Sequence, residues 1–470
     1  MSEKMAFKNG GEDTVLTRSC SYDSSFEMVE TPPRPKGLEV TKEDLPEEEN
    51  EGPSQSVCCQ PPLDMTTFRS MLDPDGRLVN EHALRKAVFR GGVDPTVRKD
   101  TWQFMFGLYP FLSTAREREV MSAEHHFKYH QLKARWKTLL TMSSLGTTEQ
   151  EQGVSAEYLD DDLDLRVESF TDDADMKVPA MDTTNISTET QQQLQFLEIQ
   201  AQVFAGRQPI NMKDIRKAVR IIDKDVPRTD RGHEYFKGSG NPHLSILRNI
   251  LITFAAFHPK VGYAQGMNDI LSRFLVVLDS EVEAFWCFSS YMETIQTDFM
   301  EEGMLRKLTL VKQLLKELDT VLFNHLEKCD VGDMTFCHRW LLLGFKREFP
   351  FDEALRLFEI ISSHHMELSS LDVERVRDQE RARDFLREGG QNRVVGAPLN
   401  TDFTFELFVC VAMLQNIRQQ LLNCRDGTEI FQSVSGLSGK MDLAHILRTA
   451  ETIFMSYCRK SVIDCFQIVE

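Results

Sequence analysis

The sequence IIDKDVPRTDR, Ile221 to Arg231, closes a helical pattern on a proline and presents an arginine beyond it. Pro227 disfavours helical angles at Val226, so Arg228 is expected to follow a break and project from it. Asp225 stands three residues earlier, where a helical or turn geometry lets its carboxylate orient the guanidinium. About thirty residues further on, VGYAQGMND, Val261 to Asp269, sets one glutamine, Gln265, in front of a glycine. Gly266 allows close backbone approach at a helix start. Asn268 and Asp269 are placed to satisfy free amides in the first turn of that helix. Taken singly, an arginine near an aspartate is most often a surface ion pair, and a glutamine before a glycine is most often a loop residue.

The surroundings of both stretches read as helix. Asn241-Pro242 caps a segment whose Leu244, Leu247, Ile250, Leu251 and Phe254 repeat at helical spacing, and His258-Pro259 ends it. Helices are expected over Met267–Leu278, Val282–Met292, Met304–Leu326, Phe336–Phe345 and Asp352–Ile361, and again over Phe403–Cys424 and Leu443–Tyr457. Upstream, Gly91-Gly92 stops one helix, and Asp94 with Pro95 opens the next, which places Val97, Trp102 and Phe106 for burial. Glu117–Leu140 reads as a long surface helix. No alternating strand pattern recurs, so the expected class is all-α.

Charge separates the folded part from its appendages. The chain has 470 residues and a net charge of -19. Residues 1–60 carry 6 basic and 13 acidic groups, and residues 141–200 carry 2 and 14, which accounts for the whole excess. Residues 1–62 are expected to form a disordered acidic tail. Residues 65–465 are expected to form one helical domain interrupted by two polar inserts, at about 143–187 and 367–400. The remaining residues carry 46 basic and 46 acidic groups. That balance disfavours a nucleic-acid partner, which wants a basic face. Ten scattered cysteines without paired spacing read as reduced thiols. With no apolar leader and no transmembrane-length run, the expected location is cytoplasmic, with any membrane recruitment peripheral.

An exposed arginine and a glutamine suit phosphoryl transfer on a nucleotide held by another protein. The loose transition state puts charge on the γ-phosphoryl oxygens, which a preorganised guanidinium stabilises, while an amide orients the attacking water. An arginine finger contributes roughly 10³–10⁵ in rate. The planar fork of arginine donates to two oxygens at once, which lysine cannot do. Several look-alikes are rejected. Gly436-Leu-Ser-Gly439-Lys440-Met441 lacks the first glycine and the magnesium hydroxyl of a phosphate-binding loop. His364-His365-Met366-Glu367 places its histidines on different faces, and the Asp160–Asp164 run lacks calcium-loop spacing.

The two stretches together resemble the TBC domain of Rab GTPase-activating proteins. Ile222-x-x-Asp225-x-x-Arg228-Thr229 is similar to that family's arginine-finger motif, and Tyr263-x-Gln265-Gly266-Met267 to its glutamine-finger motif. Arg98-x-x-x-Trp102, Ala284-Phe285-Trp286-Cys287-Phe288 and Arg339–Leu343 with Lys346–Phe349 add to the likeness, which covers about 85–140, 210–365 and 400–460. The resemblance implies that Arg228 and Gln265 act in trans on the GTP form of a Rab protein. Asp225 and Tyr263 would support them, and Thr229 would be structural. It implies no cofactor of the chain's own, magnesium and GTP being carried by the GTPase. A non-catalytic Rab-GTP effector or scaffold is the rival class, which would not need the pair. Arg273 stands where the family usually has a small residue or proline and is expected to alter how the Rab docks. Phe358 replaces a frequent tryptophan and is expected to affect packing alone. In the tail, Phe26–Val29 after Asp23 is similar to the short motif that adds a strand to ubiquitin-like autophagy modifiers.

Overall fold

The computed structural model describes residues 60–145, 188–368, 373, 377–379, 381, 400 and 402–463. Every regular element among them is helical, and the strand-like pairings are two isolated bridges, Leu63 with Val93 and Leu72 with Leu78. The all-α class expected from the sequence is therefore the observed one. Residues 1–59, most of the first insert and most of the second lie outside the described residues, as does the Phe26–Val29 motif.

Polar caps set the first helix starts. In α1 (Met65–Ser70) Asp64 accepts from the Thr67 amide at 2.7 Å, and in α2 (Glu81–Gly91) Asn80 accepts from Ala83 at 2.9 Å. Asp94 accepts from Thr96 at 2.9 Å ahead of α3 (Pro95–Met105), with proline at its first position as expected. The sequence likewise locates α7 (Pro242–Phe257), α8 (Met267–Leu278), α9 (Glu281–Ile295) and α13 (Phe351–Ser362).

Elsewhere the elements differ from expectation for identifiable reasons. α4 (Ala115–Leu145) extends beyond both expected ends and is more than a surface helix: it buries Tyr129, Leu132 and Trp136. Its charges are spread around the axis and hide the buried stripe. Residues 143–145 of the expected insert are thus helical, and α5 (Thr188–Arg207) begins straight after it. The helix expected over Met304–Leu326 is two, α10 (Glu301–Leu318) and α11 (Thr320–Lys328). Asp319 divides them by accepting from the Leu322 amide at 3.0 Å while pairing with Arg418. Phe336–Phe345 holds only the short α12 (His338–Leu342) behind a 3-10 turn. The C-terminal helices are α14 (Phe405–Asn416), α15 (Arg418–Asn423), α16 (Gly427–Ser435) and α17 (Leu443–Ile463). The second expected insert begins inside the fold, because Leu368 and Val373 are buried.

Two hydrophobic cores result among the described residues. One gathers α1–α5, α6 (Met212–Asp225) and α7–α9 around Trp102, Phe106, Phe274 and Phe288. The other gathers α10–α17 around Trp340, Phe345, Leu407 and Phe454. α13 belongs to both: Leu355 and Phe358 enter the first core, and Ala354, Leu357 and Ile360 enter the second. Phe358 stacks on Phe106 at 5.4 Å, a packing role as expected. Each fully buried side chain of this size contributes about 1.5–3 kcal/mol of transfer free energy.

Glu359 of α13 explains the Arg98-x-x-x-Trp102 spacing. Arg98 and Trp102 lie one turn apart on α3. The Trp102 indole donates to the Glu359 carboxylate at 2.8 Å. The Arg98 guanidinium lies 2.8 Å from the same oxygen as an ion pair, although its hydrogen bond goes to the Val93 carbonyl at 2.9 Å. Burial pushes the Glu359 carboxyl up to about 7, outweighing the opposing pull of Arg98 and Trp102. The folded state thus holds this proton more tightly than the unfolded chain, whose carboxyl titrates near 4.5. This group's contribution to stability is full below the unfolded value and declines as pH rises towards 7. Thermal melts from pH 5 to 8 should therefore show wild type losing stability relative to Glu359→Gln. Parallel curves for the two proteins would contradict the buried-carboxyl account.

Candidate functional site

α6 (Met212–Asp225) buries Ile215, Ala218, Val219 and Ile222 and turns Lys213, Arg216, Lys217, Arg220 and Lys224 outward. The helix tightens into a 3-10 turn, Val226–Arg228. Val226 keeps helical angles, φ -56° and ψ -47°, contrary to expectation, and its amide still bonds Ile222. Pro227, lacking an N–H, ends the α-type bonding after that point. The chain becomes extended at Thr229, φ -71° and ψ 122°, so the break falls after Arg228. Asp230 then takes a left-handed φ of 44°.

Arg228 donates to Asp225, and the contrast in exposure between them is large: 60% for the arginine side chain against 3% for the aspartate. A buried carboxylate thus anchors an exposed guanidinium. The other Asp225 oxygen accepts from the Tyr263 hydroxyl at 2.8 Å. Burial, and then this bond to a carboxylate, raise the Tyr263 pKa, so the phenol stays protonated and donating. Thr229 closes the arrangement. Its hydroxyl donates to the Asp225 carbonyl at 3.0 Å and accepts from the Asn268 amide at 2.9 Å. The Asn268 carbonyl accepts from the Gly266 amide at 3.2 Å and lies 3.2 Å from the Tyr263 hydroxyl. A continuous hydrogen-bonded ring therefore ties the Arg228 segment to the loop that carries Gln265.

Gln265 itself is exposed, and among the described residues its amide has no hydrogen-bond partner. Gly266 behind it requires glycine on two counts. Its φ is 106°, and an added Cβ would stand 2.9 Å from Leu343 Cδ2.

Beneath the loops lies a second polar group. Asp269 does not cap α8 as expected; it pairs with Lys346 at 3.2 Å and Arg347 at 2.8 Å. Burial alone would raise the Asp269 pKa, but those two cations hold it below its ordinary value. Arg273 corrects a further expectation. It is 1% exposed, lies 4.4 Å over the Phe358 ring and donates to the Leu343 carbonyl. Burial pulls its pKa down to about 10. It cannot touch a docking partner. It braces from below the Leu343 that packs against Gly266.

The structure thus joins Arg228, Asp225, Thr229 and Tyr263 in one network and places Gln265 free at its edge. The sequence reading saw Asn268 only as a helix-start residue and missed its bond to Thr229. It also missed the Lys346 contacts. Among the described residues, no group of three or more His, Cys, Asp or Glu could hold a metal ion, and no helix is long and apolar enough to cross a membrane.

The architecture is that of an all-helical TBC domain. The Rab-GTPase-TBC domain model matches residues 95–372, more than half of the chain, and the chain belongs to that family. Human TBC1 domain family member 17 is 29% identical over 393 residues, covering 82% of this chain and 50% of that protein. The GTPase-activating protein gyp7 of Schizosaccharomyces pombe is 25% identical over 427 residues, 87% of this chain and 44% of that protein. The chain spans half or less of the length of these relatives. The crystal structure of the Ypt/Rab-GAP domain of Gyp1p matches with a TM-score of 0.52 at 17% identity, over 83% of this chain and 97% of that one. At that identity the likeness establishes the fold.

Proposed function

We propose that this domain stimulates GTP hydrolysis by one or more Rab-family GTPases in their GTP form. The observation that supports this most is the anchored Arg228. A cation held by a buried carboxylate and left open to solvent costs little reorganisation when a γ-phosphoryl group arrives. Gln265, free and linked to it through the ring, would orient the attacking water in place of the GTPase's own side chain. Asp225 and Tyr263 fix the guanidinium, and Thr229 with Asn268 fixes the two segments against each other. Magnesium and GTP come with the GTPase. The protein acts peripherally on trafficking membranes, brought there by partners.

Phosphate release across a panel of GTP-loaded Rab proteins, at substoichiometric amounts of this chain, tests the reading. Stimulated release by at least one Rab is expected. GTP-dependent binding without faster hydrolysis would make it an effector instead. Gln265→Ala should lower the stimulated rate by roughly 10²-fold or more, the scale of losing one preorganised transition-state donor. Its melting temperature should match wild type, because the exposed amide makes no hydrogen bond among the described residues.

A further inference from the structure

We propose that Lys346 is a positioning residue that sets the Arg228 and Gln265 segments as a single unit. The proposal rests on the reading of those two side chains as the groups lent to the GTPase.

Lys346 lies in the loop between α12 and α13, on the side of the second core, and its side chain is 5% exposed. Its ammonium has three donors, and three acceptors surround it: Asp230 at 2.5 Å, Ser272 at 2.7 Å and Asp269 at 3.2 Å. Asp230 stands two residues after Arg228, and Asp269 four residues after Gln265. One buried cation therefore holds the exit of one segment and the first helical turn that follows the other.

Asp230 gives the contact its leverage. Its φ of 44° is a left-handed conformation that aspartate enters more readily than most residues, and the side-chain contact is what selects it here. Asp279, Asp330, Met334, Phe345 and His364 share positive φ elsewhere in the chain, but Asp230 alone among these directly follows the Arg228-Thr229 pair. The Lys346 contact holds the carboxylate inward and so fixes where the chain turns after Thr229. Removing the ammonium would leave Asp230 without this charge partner, whereas Asp269 would retain Arg347. The Arg228 side should therefore loosen first. The ring of Asp225, Thr229, Asn268 and Tyr263 is one link between the segments, and Lys346 with Asp230 and Asp269 is a second. Two separate links resist rotation of one segment against the other, which a single link does not.

The test uses the full chain with a Rab that responds to wild type. Lys346→Met, Asp230→Asn, Arg228→Ala and the double variant Lys346→Met/Arg228→Ala are compared for kcat and KM, with melting temperature and circular dichroism as checks of folding. A small misplacement of a reacting group costs up to roughly 100-fold. Folded Lys346→Met should thus lose roughly 10- to 100-fold in kcat with KM changed by less than about threefold. The double variant should lose clearly less than the product of the two single losses, because the part of the Lys346 effect that acts through Arg228 is already gone and Asp269 still keeps Arg347 on the Gln265 side. Unchanged kcat in folded Lys346→Met overturns the proposal, and so do losses that multiply in the double variant. Should Lys346→Met not fold, Asp230→Asn decides: a fall in kcat at constant KM supports the link, and wild-type kcat overturns it. A wild-type chain that stimulates no Rab would sink the functional reading and this proposal together. An active wild type with insensitive variants would sink this proposal alone.

Discussion

Arg228→Ala should remove most of the stimulated GTP hydrolysis while leaving the fold intact. The side chain is 60% exposed and its charge partner is Asp225. After truncation one Asp225 oxygen still accepts from Tyr263, and the space left by an exposed side chain admits water to the other, so the buried carboxylate loses its charge partner at a modest cost in stability. The chemistry has no such substitute. The guanidinium is the positive group that the ring presets, and losing an arginine finger costs roughly 10³–10⁵ in rate. Single-turnover phosphate release with a responsive Rab would show this, alongside an unchanged circular dichroism spectrum and a melting temperature lowered by no more than about a few degrees. A variant as active as wild type across its responsive Rabs would end the assignment of Arg228.

Gly266→Ala should damage both stability and activity. The φ of 106° disfavours any side chain, and the new Cβ would meet Leu343 at 2.9 Å. Leu343 has little room to swing aside, because its side chain is itself buried, and its backbone is held through the carbonyl by Arg273. Backbone strain and overpacking of this kind cost about 1–3 kcal/mol each. The displaced loop is the one that carries Gln265 and, through Asn268, the ring. Stimulation should therefore fall by roughly 10-fold or more beyond what the stability loss explains. Gly262→Ala is the matched control, since its φ is 62° but no atom lies within 4 Å of its added Cβ. Equal effects at the two positions would show that steric approach to Leu343 is unimportant.

Much of this was legible in the sequence because it is local. The caps at Asp94 and Asn241 and the apolar spacing of α7 lie within a few residues of what they determine. The Asp225–Arg228 pairing was legible for the same reason, being three residues long. Arg273 was misread because its burial depends on Leu343 and Phe358, seventy and eighty-five residues away in the chain. No periodicity marks an arginine whose charge is tolerated through one carbonyl and one aromatic face. Asp269 misled in another way. An acidic residue in the first turn of a helix looks like a cap, and only the arrival of Lys346 and Arg347 from another segment gives it a different task. The division at Asp319 went unread because a run of leucines on both sides conceals a single capping carboxylate.

The sharing of α13 between the two cores has a consequence for the order in which the chain comes into being. Gln265 leaves the ribosome about 80 residues, and Arg228 about 115 residues, ahead of Leu343 and Lys346, and both are further still ahead of Phe358 and Glu359. Until those later residues emerge, Trp102 has no carboxylate to bond and Gly266 has no leucine against it. Asp230 has no ammonium to hold its turn. The early helices can form and the first core can begin to gather, as N-terminal segments do during synthesis. The reactive loops, however, remain unset through this interval. On the proposed reading, a nascent chain stalled before residue 340 would carry both Arg228 and Gln265 without the contacts that set them, so competence would arrive late and nearly all at once.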